Sequence, residues 1–402
     1  MPLPHPTNHS PTWLWDVFCT VIDNHGDLGV CWRLATQLRD AGHRVRLWVD
    51  DASALAWMAP GALEGREPDI SVRAWPQPDS SVVATPAMPA PPSDLATLEC
   101  LEPSQVWIEA FGCHIPESFV AAQVAARQAQ HRPAPVWINL EYLSAEPWVT
   151  RMHGLPSPVM QGPAQGDTKW FYYPGFTPDT GGLLREAHLL EQQEAFRARE
   201  QHGLWLSQLA PGPVSQSATT HISLFCYEPP ALAELLHHIS HTQVQPHIWV
   251  CAGRPTQAVQ SALAKHPGLA HQLQWTALPY MPQPQFDQLM WSCQLNFVRG
   301  EDSLVRALWA GQPLVWHIYP QDDDAHIAKL DAFLDWLQAP DCLRAFHHRW
   351  NGLHTPLGQQ PLVWPSGTSL AEWRACVQAA RERLLVQPSL VDQLVSFVSK
   401  KL

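Results

Sequence analysis

Short apolar runs alternate along this chain with longer stretches whose apolar positions recur every three or four residues. Residues 13–22 form the first run and are rich in strand formers. A polar, glycine-bearing segment follows, Asp23-Asn24-His25-Gly26-Asp27-Leu28-Gly29. Residues 30–40 then place Val30, Leu34, Gln37 and Leu38 at helical steps, and Gly42 stands where a helix end favours glycine. Residues 44–49 read as a second strand. This strand–loop–helix–strand unit predicts the start of a parallel α/β sheet. Strands at 106–109 and 136–140 flank a helix at 117–130. Residues 144–180, with Pro147, Pro156, Pro158, Pro163, Pro174 and Pro178, read as one long loop of the kind that serves function.

A charged helical stretch at 183–202 and a Pro- and Ser-rich stretch at 207–220 mark the passage to a second α/β repeat. Its predicted strands are 221–227, 247–252, 273–278, 294–298 and 314–317, with helices at 230–240, 256–266, 285–293 and 303–310. Late helices follow at roughly 370–386 and 389–400. Two doubly wound units in tandem predict an α/β chain of GT-B type, two Rossmann-like domains facing across a cleft. Ligands belong at the carboxyl ends of the strands. The first domain is expected at 13–182 and the second at 183–386, with a C-terminal helix at 387–402 packing back on the first. Residues 76–103, rich in Pro, Ala and Ser, read as a surface insertion.

Composition narrows the function. A chain of 402 residues with 46% hydrophobic content can bury two cores. No apolar run reaches the ~18 residues of a membrane span. Residues 1–12 lack the pattern of a secretory signal and read as a loose leader. Nine cysteines without a C-x-x-C pair predict reduced, buried thiols and a cytoplasmic protein; Cys113-His114 alone does not make a metal site. The formal net charge of -12 argues against nucleic acid or an anionic membrane as the main partner and suits a cationic acceptor. The 20 tryptophans lie mostly in apolar runs and are expected in the core.

Candidate chemistry sits in two loops. Asp23 and Asp27 flank a turn beside Gly26 and Gly29, where a strand ends at the expected cleft. Two such carboxylates can clamp a cation or share acid–base work; a helix N-cap with a solvated Asp explains them equally well. The segment lacks G-x-G-x-x-G spacing, although Asp50-Asp51 stands where a dinucleotide fold places its ribose-binding acid. In the second domain, Arg299-Gly300-Glu301-Asp302-Ser303 lies between an apolar strand and a helix. Capping by Asp302 or Ser303 leaves backbone N–H groups free for a diphosphate, and Arg299 adds positive charge. Glu301 either points away toward an acceptor or is a surface residue beside a capped helix. Asp322, Asp323 and Asp324 form an acidic run read as a solvated face. Phe225, Tyr227 and Phe286 are core aromatics or platforms for a nucleobase.

Longer motifs carry a resemblance. The stretch 16–35, containing Val21-Ile22-Asp23-Asn24-His25-Gly26-Asp27-Leu28-Gly29-Val30-Cys31-Trp32, resembles the opening of the EarP family. Also similar are Leu224-Phe225-Cys226-Tyr227-Glu228, Arg299 through Ala307 with Trp309-Ala310-Gly311, Trp316 through Gln321, and Lys329 through Leu334. The resemblance implies a GT-B fold and an inverting protein-arginine rhamnosyltransferase. It implies TDP-β-L-rhamnose as co-substrate donor, no metal and no other cofactor, and elongation factor P as the acceptor protein. It makes the first domain the acceptor-binding one and the second the donor-binding one. It implies catalytic roles for Asp23, Asp27 and Glu301, and donor contacts from Phe225, Tyr227, Gln283, Phe286, Arg299, Asp302, Ser303 and Tyr319. His25 departs from the family's more usual Tyr, and the 76–103 stretch is a local elaboration. Rival readings from the residues alone are another GT-B enzyme, such as a nucleotide-sugar epimerase or a small-molecule glycosyltransferase, a nicotinamide-dependent oxidoreductase, and a non-catalytic binding protein.

Overall fold

The computed structural model describes residues 11–22, 25–75, 98, 100–198, 205–206, 209, 220–243, 246–321 and 324–402. Asp23, most of the 1–12 leader and of the 76–103 insertion, most of the 207–220 stretch, and Asp322 and Asp323 lie outside the described residues. In the first half the elements run β1 (Leu14–Cys19), α1 (Gly26–Asp40), β2 (Arg44–Val49), α2 (Leu55–Met58), β3 (Ile70–Ala74), β4 (Val106–Ala110), α3 (Glu117–Ala129), β5 (Val136–Leu140), α4 (Val149–Met152), β6 (Pro156–Pro158) and β7 (Thr168–Tyr172). In the second half they run α5 (Leu189–Ala198), β8 (His221–Leu224), α6 (Leu232–Ser240), β9 (His247–Val250), α7 (Arg254–Lys265), α8 (Pro267–Ala270), β10 (Gln274–Ala277), α9 (Gln283–Ser292), β11 (Leu295–Arg299), α10 (Asp302–Ala310) and β12 (Leu314–His317). Four helices close the chain: α11 (Ala325–Leu337), α12 (Asp341–Trp350), α13 (Gly367–Leu385) and α14 (Leu390–Ser399).

The first sheet has the order β3-β2-β1-β4-β5-β7-β6 and the second β10-β9-β8-β11-β12. All pairings are parallel except β6 with β7. Helices cover both faces of such sheets, so their strands read as unbroken apolar runs. Strands β1, β4, β9, β11 and β12 are buried at every position. In each sheet the winding reverses beside the first strand, β1 next to β4 and β8 next to β11. The loops leaving those strands diverge and open a crevice at their carboxyl ends.

Several boundaries differ from the sequence expectation. Helix α1 starts at Gly26 instead of residue 30, so Asp27 and Gly29 belong to its first turns. The 144–180 stretch is not all loop: it folds back as β6 and β7, and β7 joins β5 in parallel. Strand β3 and helices α11 and α12 are additions to the expected elements, although Ile327, Leu330, Phe333, Leu334 and Leu337 of α11, and Leu343, Phe346 and Trp350 of α12, recur at helical steps. Helix α13 packs Trp373, Val377, Ala380 and Leu384 into the second core, whereas α14 packs Leu390, Val391, Leu394 and Val398 into the first. The chain crosses between domains at 386–389, where Arg185 donates to the carbonyls of Leu384, Leu385 and Gln387 at 3.3, 3.1 and 3.0 Å. The last carbonyls of a helix lack helical N–H partners, and a cation at the C-terminus supplies one; the Leu384 carbonyl also accepts the Gln387 N–H at 3.1 Å. No helix among the described residues is long and apolar enough to cross a membrane.

Candidate active site

Several cavities lie between the domains, one of about 530 Å³ beside Arg33 and Asp287, and two others adjoin at the candidate turns. The larger of these two, of about 260 Å³, has walls from both domains: His25, Gly29 and Trp57 from the first, and Phe225, Tyr280, Phe286, Arg299 and the first turn of α10 from the second. The smaller, of about 230 Å³, is lined by Asp27, Phe111, Tyr142, Glu301, Tyr319 and Lys329. Gly26, Gly300 and Glu301 border both, so the two cavities adjoin.

The first-domain wall is built by the turn from β1 into α1. Asp27 is neither a solvated carboxylate nor the N-cap; the cap position is His25, which makes no capping bond. Asp27 is buried, and its Oδ2 accepts the Ile22 N–H at 2.9 Å. A carboxylate in a helix's first turn is favoured by the exposed N–H groups there. One residue earlier, the Val21 N–H donates to Asp50 Oδ1 at 3.0 Å. Asp50 therefore braces the loop that leaves β1.

The second-domain wall is the turn from β11 into α10. Gly300 lies at φ 60°, a left-handed conformation that suits glycine, and its carbonyl accepts Trp316 Nε1–H at 2.7 Å. Neither Asp302 nor Ser303 caps α10. The cap position is Glu301, whose side chain makes no capping bond to the helix; Ser303 Oγ instead accepts the Arg299 N–H at 3.0 Å and donates to the Arg299 carbonyl. The turn is thus closed on itself. The Arg299 guanidinium lies 4.5 Å from the Phe225 ring centre and 4.6 Å from that of Tyr227, in cation–π contact with both. Burial, reinforced by Arg299, pushes His317 down to about 3, so its imidazole is neutral and Nδ1 accepts the Tyr227 N–H at 3.2 Å.

The structure separates the expected donor residues into groups. Phe225, Gln283, Phe286, Arg299, Asp302 and Ser303 line the larger cavity, with Phe225 and Phe286 edge-to-face at 5.4 Å. Tyr319 lines the smaller one beside Asp27 and Glu301. Tyr227 is buried behind Arg299, and its ring meets Tyr319 edge-on at 5.5 Å. Gln283 opens α9 and spends its amide across the cleft, donating to the Gly29 carbonyl at 2.9 Å. Glu301 accepts the Leu143 N–H at 2.8 Å on one oxygen and pairs with Lys329 Nζ at 2.7 Å on the other.

Arg33, Arg254 and Trp57 belong to the site without having been singled out in the sequence. Asp302 Oδ1 accepts from Arg33 Nε of α1 at 2.8 Å. Burial raises the Asp302 carboxyl against the pull of Arg33 and Arg306. Arg254, at the start of α7 in the larger cavity, pairs with Glu228 and lies 4.9 Å over the Tyr227 ring. The strand-Gly-Arg-Pro pattern at 247–255 repeats the strand-to-helix logic of Arg299-Gly300 and was the available clue. The Trp57 ring lies 4.7 Å from that of Tyr280 of the opposite domain, tilted by 35°, with His25 edge-on to both.

A family model described as Elongation-Factor P (EF-P) rhamnosyltransferase EarP matches residues 15–399. A protein-arginine rhamnosyltransferase of Pseudomonas putida is 39% identical over 409 residues, covering 96% of this chain and 99% of that protein. One of Neisseria meningitidis is 33% identical over 429 residues, covering 98% of each. A solved structure, described as the structural basis for EarP-mediated arginine glycosylation of translation elongation factor EF-P, is similar at a TM-score of 0.60 and 27% identity over 97% of this chain and 100% of that one. A UDP-glucosyltransferase from Polygonum tinctorium shares the fold at a TM-score of 0.52, with 12% identity over 97% of this chain and 99% of that one. Two parallel-sheet α/β domains around a common cleft, as in these glycosyltransferases, are the GT-B fold. With nearly its whole length matched, the chain belongs to the EarP family of EF-P rhamnosyltransferases.

Proposed function

We propose that this protein-arginine rhamnosyltransferase moves L-rhamnose, with inversion, from TDP-β-L-rhamnose to an arginine of translation elongation factor P. The observation that carries this reading is the union of two cavities. Carboxylates from opposite domains, Asp27 and Glu301, line one; Arg299, Phe225 and Phe286 line the other. In this reading the larger cavity takes the donor. Phe225 and Phe286 hold the base, Arg299 and the α10 N-terminus with Ser303 face the diphosphate, and Gln283 and Asp302 shape the sugar side. Tyr227 supports Arg299 from behind, and Tyr319 borders the transferred sugar. No metal or other cofactor enters, because Arg299 and the backbone N–H groups supply the positive field.

The acceptor guanidinium, with a pKa above 12, is a poor nucleophile while fully protonated. Asp27 hydrogen-bonds the attacking nitrogen and takes its proton as the new C–N bond forms at the anomeric carbon. The bond to the diphosphate oxygen breaks, and TDP leaves with the electron pair. Asp23 holds Asp27 and its loop or shares the guanidinium. Glu301, held by the Leu143 N–H and Lys329, grips the remaining nitrogens. The transition state is oxocarbenium-like, as in glycoside hydrolysis. The enzyme works in the cytoplasm beside its acceptor. Purified enzyme, TDP-β-L-rhamnose and elongation factor P are mixed, and the acceptor is weighed by intact-protein mass spectrometry. A gain of one deoxyhexose, lost when the acceptor arginine is changed to lysine, is the expected result. An unchanged mass with both proteins folded refutes the donor or acceptor assignment.

A further inference from the structure

Helix α1 belongs to the first sheet, yet polar bonds tie it to the second domain at two successive turns. The Gly29 carbonyl accepts from Gln283 at 2.9 Å. Arg33 then spends its whole guanidinium across the cleft: Nε to Asp302 at 2.8 Å, and Nη1 and Nη2 to the two oxygens of Asp287 at 3.0 and 2.9 Å. Arg306 grips the same Asp287 from α10 at 3.0 and 2.8 Å, and its Nη1 reaches Glu186 at 2.7 Å. Arg33, Asp287 and Arg306 are all buried. Two guanidinium forks on one carboxylate fix its plane and so fix both helices. At the N-cap of the same helix, the His25 ring meets Tyr280 of the second domain at 6.2 Å.

Asp27 lies between these attachments. It stands six residues before Arg33, about 9 Å along the helix axis. Asp302, held by Arg33 Nε, forms part of the larger cavity wall. We infer that Arg33 is a positioning residue for transfer: by locking α1 to the donor domain, it sets Asp27 against the bound donor and lets donor binding order a helix of the opposite domain. The inference rests on the donor and base assignments proposed above.

Amide hydrogen exchange of the full-length enzyme with and without TDP tests this without relying on turnover. TDP is expected to slow exchange over 299–306, which walls the donor cavity, and also over 26–33. In Arg33→Lys, which keeps the charge but loses the fork, slowing persists at 299–306 and disappears at 26–33. Its kcat for rhamnosylation drops about 10- to 100-fold, the scale expected for a displaced catalytic group, while the TDP dissociation constant changes little. Protection at 299–306 without protection at 26–33 in the wild type overturns the coupling and leaves the donor site standing. Protection at neither overturns both. If Arg33→Lys keeps α1 protected and turns over at the wild-type rate, Arg33 has no positioning role.

Discussion

Glu301 accepts the Leu143 N–H at 2.8 Å, so a carboxylate of the turn between β11 and α10 is bonded to the backbone of the opposite domain. Its other oxygen is held by Lys329 at 2.7 Å. The carboxylate is thereby aimed into the smaller cavity before any substrate arrives, with both of its oxygens given a direction. Lys329→Met removes one of those two constraints. The Leu143 bond and partial contact with water remain, so the stability loss is expected to stay near ~1 kcal/mol. Turnover is expected to fall about tenfold as Glu301 gains freedom. Thermal melting and initial rates on one preparation check the pair of outcomes; a large melting shift with unchanged rate contradicts it.

Asp27→Asn keeps the size of the side chain and an acceptor for the Ile22 N–H but cannot take a proton. Turnover is expected to drop at least ~100-fold, the lower end for loss of a general base. TDP affinity by calorimetry should be nearly unaltered, because Asp27 lines the smaller cavity and not the larger. Wild-type turnover in this variant removes the base assignment.

Phe286→Ala takes away one of the two rings facing the donor cavity. Loss of base stacking costs about 1–3 kcal/mol, which weakens TDP binding by roughly 5- to 150-fold. Calorimetry decides the matter, and unchanged affinity places the base elsewhere.

Asp16 is buried inside β1 and binds Arg46 Nε at 2.6 Å, Arg46 Nη2 at 2.5 Å and Trp48 Nε1 at 2.6 Å. Asp16→Ala strands a buried guanidinium and an indole N–H together. The expected destabilisation is about 3–5 kcal/mol, read as a lower denaturation midpoint in urea. A variant as stable as the wild type shows that Arg46 finds another partner.

Glu186 links stability to acid. Burial works to raise its carboxyl, but Arg306 and Arg33 outweigh burial and hold it at about 2, against an ordinary 4.5. A folded-state value below the unfolded one stabilises the protein above pH 4.5, and the contribution disappears as pH falls toward 2. The stability gap between wild type and Glu186→Gln is therefore expected to be full at pH 6 and to narrow below about 4.5. Urea titrations across that range test it; a gap independent of pH removes the linkage.

The alternation of short apolar runs with helical spacing was enough to read two parallel α/β units, because strands buried on both faces leave continuous apolar segments. It was enough to locate the turn at Arg299-Gly300-Glu301, since a positive charge and a glycine between a strand and a helix are local features. The β6–β7 fold-back was hidden because prolines at both ends of β6 mask a strand whose neighbours are set by distant pairing. Asp302 looked like a cap because capping is a local rule; its true partner, Arg33, stands 269 residues away. Sequence by itself therefore determined the fold class and the segments that meet at the cleft, which follow from near-neighbour pattern, and the resemblance of its longer motifs pointed to the family. Only the tertiary structure decided what each carboxylate holds: Glu301 with Lys329 and Leu143, Asp302 with Arg33, Asp50 with the β1 loop. Those choices depend on which buried charges the two domains bring face to face, and chain order carries no record of that.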